Sequence, residues 1–235
     1  MSLPAWRVFA YAQALVASLA DAVCEVADEA IRARGIFHLV LAGGRTPQAL
    51  YRVLAERHVG DARWYIWYGD ERCLPRDHAE RNSHMAETTW LNISAIPPLN
   101  RRPIPTEAGA AAAARQYAEW LDGVSDFDLT LLGMGEDGHT ASLFPGQRWD
   151  DADVLVVNNA PKPPPERVSL SAGRLSRSRR VWFIVTGADK RAAITRWKSG
   201  ERLPVSVVNG VRETTLWLDQ AAQPREPDIP NPSLD

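Results

Sequence analysis

One histidine in this chain stands apart by its surroundings. His139 closes the run Gly133-Met-Gly-Glu-Asp-Gly-His139, in which three glycines dictate an unusual backbone path and Asp137 sits two residues before the ring. An imidazole near its ordinary pKa takes a proton from water and returns it to a leaving oxygen near neutral pH. Asp137 is placed to hold the ring in one tautomer, although spacing alone leaves open whether the two touch. No second His, Cys or carboxylate stands at ligand spacing here, so no metal is expected. Ser142 is not in a G-x-S-x-G elbow, so it does not read as a nucleophile. His38, His58, His78 and His84 lack a comparable setting and read as packing or surface residues.

Other segments offer charge. In Leu41-Ala-Gly-Gly-Arg-Thr-Pro47, Gly43 and Gly44 let the backbone approach a ligand, and the next helix would begin here with its free N–H groups and positive dipole end. That suits phosphate, with Arg45 as an added charged contact; the same spacing also suits a plain tight turn. Neither G-x-G-x-x-G nor G-K-S/T is present, so nucleotide binding is not expected. In Tyr68-Gly-Asp-Glu-Arg72, Arg72 suits forked hydrogen bonds to phosphate or carboxylate, and Asp70 suits orienting a base or a sugar hydroxyl. The alternative is that Asp70, Glu71 and Arg72 pair with each other or cap the next element. Lys162, Arg167 and Lys190 form a third, basic set; solvated surface charge is the alternative for each.

The elements that must position these residues alternate. Residues 4–34 read as one long helix, with apolar positions (Val8, Tyr11, Leu15, Leu19, Val23, Val26, Ile31) mostly three or four apart. Short apolar runs read as buried strands at 36–42, 64–68 and 126–132, and further strands at 167–170, 179–186 and 214–218. Helices are expected at 47–57, with Thr46 as cap and Pro47 as first helical residue, and at 82–91, 106–121 and 190–198. This order implies an α/β fold: a doubly wound, mainly parallel sheet with flanking helices. Such sheets bind ligands beyond the carboxyl ends of their strands, so the loops after strands should converge on one cleft. One domain over residues 1–223 is expected, followed by a proline-rich tail, 224–235, that reads as disordered.

Bulk properties narrow the class. The net charge of −2 argues against general nucleic-acid binding. No apolar run approaches the ~20 residues of a membrane span, and no leader pattern is visible, so a cytoplasmic protein without a membrane partner is expected. Cys24 and Cys73 form no CxxC pair and read as reduced thiols.

These segments together resemble the 6-phosphogluconolactonases. The resemblance rests on Leu41-Ala-Gly-Gly-Arg-Thr-Pro47, Asp70-Glu-Arg-Cys73 with Asn82, and Phe127-Asp-Leu through Phe144-Pro145. Pro161-Lys-Pro-Pro, Glu166-Arg-Val-Ser-Leu170, Thr186-Gly-x-x-Lys190 and Leu216-Trp-Leu-Asp219 extend it, over roughly residues 36–220. It implies a modified Rossmann-like fold shared with amino-sugar-phosphate isomerases. It implies hydrolysis of 6-phospho-D-glucono-1,5-lactone to 6-phospho-D-gluconate, the second step of the oxidative pentose phosphate pathway, without a cofactor. By the same resemblance His139 is the general base, supported by Asp137. Gly43, Gly44, Arg45, Thr46, Arg72, Arg167 and Lys190 are the contacts it implies for a small phosphorylated sugar lactone. Asp70 is expected beside them as a substrate contact, and N–H groups of the Gly133–Gly138 loop are expected to serve an oxyanion. A monomer or small homo-oligomer is expected. Arg81 departs from the family, where serine is common, and is expected at the cleft rim. The rival readings are an amino-sugar-phosphate deaminase or isomerase and a non-catalytic sugar-phosphate sensor. The deaminases resemble this loop but carry a glutamate five residues after the histidine, where this chain has Phe144.

Overall fold

The computed structural model describes residues 4–149 and 152–225. Its elements run β1 (Ala5–Phe9), α1 (Ala12–Arg34), β2 (Phe37–Leu41), α2 (Arg45–Glu56), β3 (Trp64–Tyr68), β4 (Asp70–Arg72), α3 (Asn82–Thr89) and α4 (Ala110–Leu121). They continue β5 (Phe127–Leu132), β6 (Val154–Val157), β7 (Arg167–Leu170), α5 (Ala172–Ser176), β8 (Ser178–Val185), α6 (Arg191–Lys198), α7 (Pro204–Val207) and β9 (Glu213–Asp219).

Six strands form a wholly parallel sheet in the order β1-β9-β8-β5-β2-β3. Its centre is dry. All six residues of β5 are buried, as is every residue of β2 except His38. Helices cover both faces of such a sheet, which is why these strands read as unbroken apolar runs. Leu39 pairs in register with Leu129 at full burial; truncating either to Ala would cost about 2–5 kcal/mol. α1 lays Leu15, Leu19, Val23, Val26 and Ala30 onto the core and ends at Gly35. There φ is +82°, and the glycine N–H closes the last turn on the Ile31 carbonyl at 2.8 Å.

The expected helix over 4–34 is in fact a strand and a helix. Ala5–Phe9 pairs in parallel with Thr215–Asp219, and Phe9 stacks on Trp217 at 5.6 Å. Long-range pairing therefore overrides a spacing that also suits a helix. The helix expected over 106–121 is broken: a 3₁₀ turn at Thr106–Ala108 precedes α4, and Gly109 between them has φ +87°. The expected tail lies almost wholly outside the described residues.

A second, three-stranded antiparallel sheet, in the order β4-β7-β6, stands beside the first. The polar segment Asp70–Arg72, read as a loop, is one of its strands. It pairs residue for residue with Arg167–Ser169.

The strand order fixes where a ligand must go. From β2 the chain moves outward to β3, whereas from β5 it moves the other way to β8 and β9. The topological switch lies between β2 and β5. Beyond their carboxyl ends stand the Gly43-Gly44 turn and the Gly133–His139 loop.

Candidate active site

A cavity of about 310 Å³ opens at that switch point, lined by His139, Asp70, Arg72, Lys162, Arg167 and Lys190 among others. The loop carrying His139 is fixed from within. The Gly135 N–H donates to the His139 carbonyl at 2.8 Å, and the Thr140 hydroxyl donates to the Gly133 carbonyl at 2.8 Å. Gly135 has no room for a side chain, because a Cβ there would stand 2.0 Å from His139 Nδ1. The ring is thus pressed against the backbone of its own loop.

Asp137 does touch the imidazole. Its Oδ1 lies 2.5 Å from His139 Nδ1 and also accepts the His139 backbone N–H at 3.1 Å. With the carboxylate ionised, Nδ1 carries the proton and Nε2 keeps its lone pair. Burial pushes the His139 pKa below its ordinary value, against an upward pull from Asp137; the Lys162 ammonium pushes it further down. The net effect favours the neutral imidazole. Phe144 is buried with its ring 4.8 Å from the imidazole, so the position five residues on is an apolar wall rather than an acid.

Asp70 sits at the start of β4 and ties several loops together. One carboxylate oxygen accepts the Ser142 hydroxyl at 2.6 Å, and the other accepts the Asn82 amide at 3.0 Å. The Asn82 side chain packs against Gly43, where an added Cβ would come within 2.0 Å of its Oδ1. Glu71 takes the alternative the sequence left open, capping α3 by accepting the N–H groups of Asn82 (2.8 Å) and Ser83 (2.9 Å). Arg72 reaches the cavity while donating to the Glu80 carbonyl.

The turn after β2 differs from expectation. α2 begins at Arg45, with Gly44 as the residue before it at φ +106°. Two glycines let the chain enter the helix earlier than Thr46 would, since only glycine takes that φ freely. The Thr46 hydroxyl instead meets the Thr186 hydroxyl at 2.7 Å, joining the turns after β2 and β8. The N–H groups of Gly43 and Gly44 donate to no described residue. Both glycines line the His139 cavity; Arg45 and Thr46 line an adjoining one of about 390 Å³ that shares Gly43, Gly44 and Lys190 with it.

Lys190 stands between the two cavities, 2.9 Å from Asp189 and 3.7 Å from Glu136. The turn that carries it is shaped by Asp219, whose carboxylate accepts the Gly187 N–H at 3.0 and 3.3 Å. In the sequence Asp219 is marked only by closing the segment Leu216-Trp-Leu-Asp219, and its place at the carboxyl end of a strand is the signal for it. Arg167 is buried and donates to the carbonyls of Lys162 (3.0 Å), Pro163 (2.9 Å) and Pro164 (3.1 Å).

Arg81 is not at the rim. It is 1% exposed, pairs with Glu71 and Glu107, and donates to the Ile104 carbonyl at 2.9 Å. A buried guanidinium needs such partners, and Glu71 and Glu107 supply them where a serine would not. Among the described residues no group of three or more His, Cys, Asp or Glu is placed to hold a metal ion, and no helix is long and apolar enough to cross a membrane.

A doubly wound sheet that brings an imidazole and several cations to one cavity at its switch point is suited to acid–base chemistry on a small anionic molecule. The comparisons with known proteins are more specific. The chain belongs to the family of glucosamine-6-phosphate isomerases and 6-phosphogluconolactonases, whose profile matches residues 10–217. It is 34% identical to the 6-phosphogluconolactonase of Mycobacterium leprae, over 94% of this chain and 98% of that one. The crystal structure of a 6-phosphogluconolactonase from Thermotoga maritima superposes with a TM-score of 0.87 at 26% identity, covering 93% of this chain and all of that one. A monomeric glucosamine-6-phosphate deaminase shares the fold at TM-score 0.80 and 19% identity, covering 93% and 98% of the two chains.

Proposed function

We propose that this protein hydrolyses 6-phospho-D-glucono-1,5-lactone to 6-phospho-D-gluconate, the second step of the oxidative pentose phosphate pathway, with His139 as general base. The observation that carries the reading is the pairing of His139 Nδ1 with Asp137, at 2.5 Å, in a ring that lines a cation-bearing cavity. The relatives named 6-phosphogluconolactonase supply the substrate.

The substrate phosphate rests on the Gly43-Gly44 turn, whose N–H groups are free to donate, with Lys190 as its counter-charge. The lactone ring then extends towards His139. Nε2 takes a proton from water, and the water oxygen bonds to C1. The carbonyl oxygen becomes an oxyanion. Collapse breaks the bond from C1 to the ring oxygen, and the imidazolium returns its proton to that oxygen. The sequence is redox-neutral and balances with water alone. A strained ester held in place by its phosphate needs little beyond positioning and one base.

Phe144 separates this reading from amino-sugar chemistry, because ring opening of an amino sugar needs an acid where this chain has a buried aromatic. The test is proton release from freshly made 6-phosphogluconolactone at mildly acidic pH, beside glucono-1,5-lactone and glucosamine 6-phosphate. Opening of the phosphorylated lactone above its spontaneous rate, with little effect on the other two, is expected. Ammonia released from glucosamine 6-phosphate, without faster lactone opening, would overturn the assignment.

A further inference from the structure

Two lysines line the cavity, and they are in different electrostatic states. Lys190 is held by Asp189 and Glu136. Lys162 is exposed and lines the same cavity as His139, and its ammonium makes no hydrogen bond or ion pair with any described residue. Its backbone is well held. Arg167 spends Nε and Nη2 on three consecutive carbonyls, those of Lys162, Pro163 and Pro164. The segment is closed at its base by the Ala160 N–H on the Pro165 carbonyl at 2.9 Å. The Arg167 guanidinium also lies over the Phe144 ring at 5.7 Å, and that ring packs on His139 at 4.8 Å. Imidazole, phenyl ring, guanidinium and the Lys162 backbone therefore form one contiguous packed series.

The oxyanion needs a donor, and the histidine loop has already spent some of its own. The Gly135 N–H goes to the His139 carbonyl (2.8 Å) and the Gly138 N–H to the Gly135 carbonyl (3.0 Å).

We propose that Lys162 is the electrophilic residue of this site, its ammonium taking the charge that develops on the C1 carbonyl oxygen as water adds, and that Arg167 is a positioning residue that sets Lys162 against His139. This rests on the reading of His139 as the base. An unpaired ammonium in a cleft interacts more strongly with charge that appears in the transition state than with a neutral carbonyl, so it acts on kcat. Lys190, already compensated by two carboxylates, is left to the charge present from the start, the phosphate.

The experiment compares Lys162→Met and Lys162→Arg with the unmodified protein by steady-state proton release and by NMR titration of the His139 ring. The charged groups acting on that ring are Asp137, Asp70 and Lys162. Lys162→Met is expected to lower kcat about 10²-fold with KM nearly unchanged, and to move the His139 titration to higher pH as a neighbouring positive charge is lost. Lys162→Arg should recover part of the rate and the original titration. An unchanged kcat, a raised KM with kcat intact, or an unmoved His139 titration would each overturn the proposal. His139→Ala distinguishes the two readings. If it keeps turnover, the base assignment falls. If it loses turnover while Lys162→Met does not, only the role of Lys162 falls.

Discussion

His38 and His139 are both partly buried, and burial lowers the pKa of both. Their surroundings differ in what is done with Nδ1. His38 lies in β2, near the amino end of the sheet, with its ring 5.2 Å from Tyr65. Its Nδ1 accepts the indole N–H of Trp67 at 3.0 Å, which forces the proton of the neutral ring onto Nε2. At His139 the same atom faces Asp137, so Nδ1 carries the proton and Nε2 keeps the lone pair. One ring is a hydrogen-bonded packing residue, and the other, which we propose as the base, lines a cavity. A lowered pKa is common to both and so identifies neither; the partner on Nδ1 and the access to Nε2 separate them.

The largest break in this comparison is His139→Ala. It should lower kcat about 10³-fold, towards the spontaneous rate, while the thermal midpoint stays close to that of the unmodified protein. Proton release and a thermal melt on one sample check both halves. Asp137→Asn should act more mildly, lowering kcat about 10- to 100-fold, because an amide no longer fixes the tautomer. Asp137 raises the His139 pKa, so its loss should move the acid limb of kcat/KM to lower pH. An unmoved limb would mean that Asp137 only braces the loop.

At the other histidine the expected effects are on stability. His38→Leu should leave turnover unchanged and cost about 1–3 kcal/mol, because the buried indole N–H of Trp67 loses its acceptor. Chemical denaturation reads this directly. The smallest effect is on pH dependence. A histidine whose folded pKa lies below the unfolded value is protonated more readily when unfolded. Its contribution is therefore fully present above the unfolded value of 6.5 and is lost as pH falls through the window down to the folded pKa. His38→Leu should flatten that acid-side decline in part, leaving the share due to His139. A steeper decline in the variant would contradict the assigned shift.

Much of this was legible locally. Strands β2, β3 and β5 are apolar runs with glycine after them, and the His139 loop announces itself by glycine spacing, with a partner only two residues away. Part of what was not legible depends on distant pairing. Ala5–Phe9 is an edge strand whose apolar spacing runs on into α1, so nothing local marks the break. Asp70–Arg72 is polar throughout and becomes a strand only by pairing with a segment about a hundred residues on. Arg167 reads from sequence as a ligand-binding cation and does line the cavity; that it also braces its own loop through three nearby backbone carbonyls was not legible, because carbonyls carry no side-chain signature. Thr46 reads as a helix cap because the rule concerns one residue type; the two glycines before it change where the helix starts.

The central claim is that His139 is the base and that its surroundings hold it neutral. The most direct measurement is the pH profile of kcat/KM for 6-phosphogluconolactone, set beside the NMR titration of the His139 ring in the free protein. The account predicts that the acid limb of the profile and the ring titration coincide, both below the ordinary histidine value of 6.5. A profile with no acid limb, or a limb at a pH where His139 does not titrate, would contradict it.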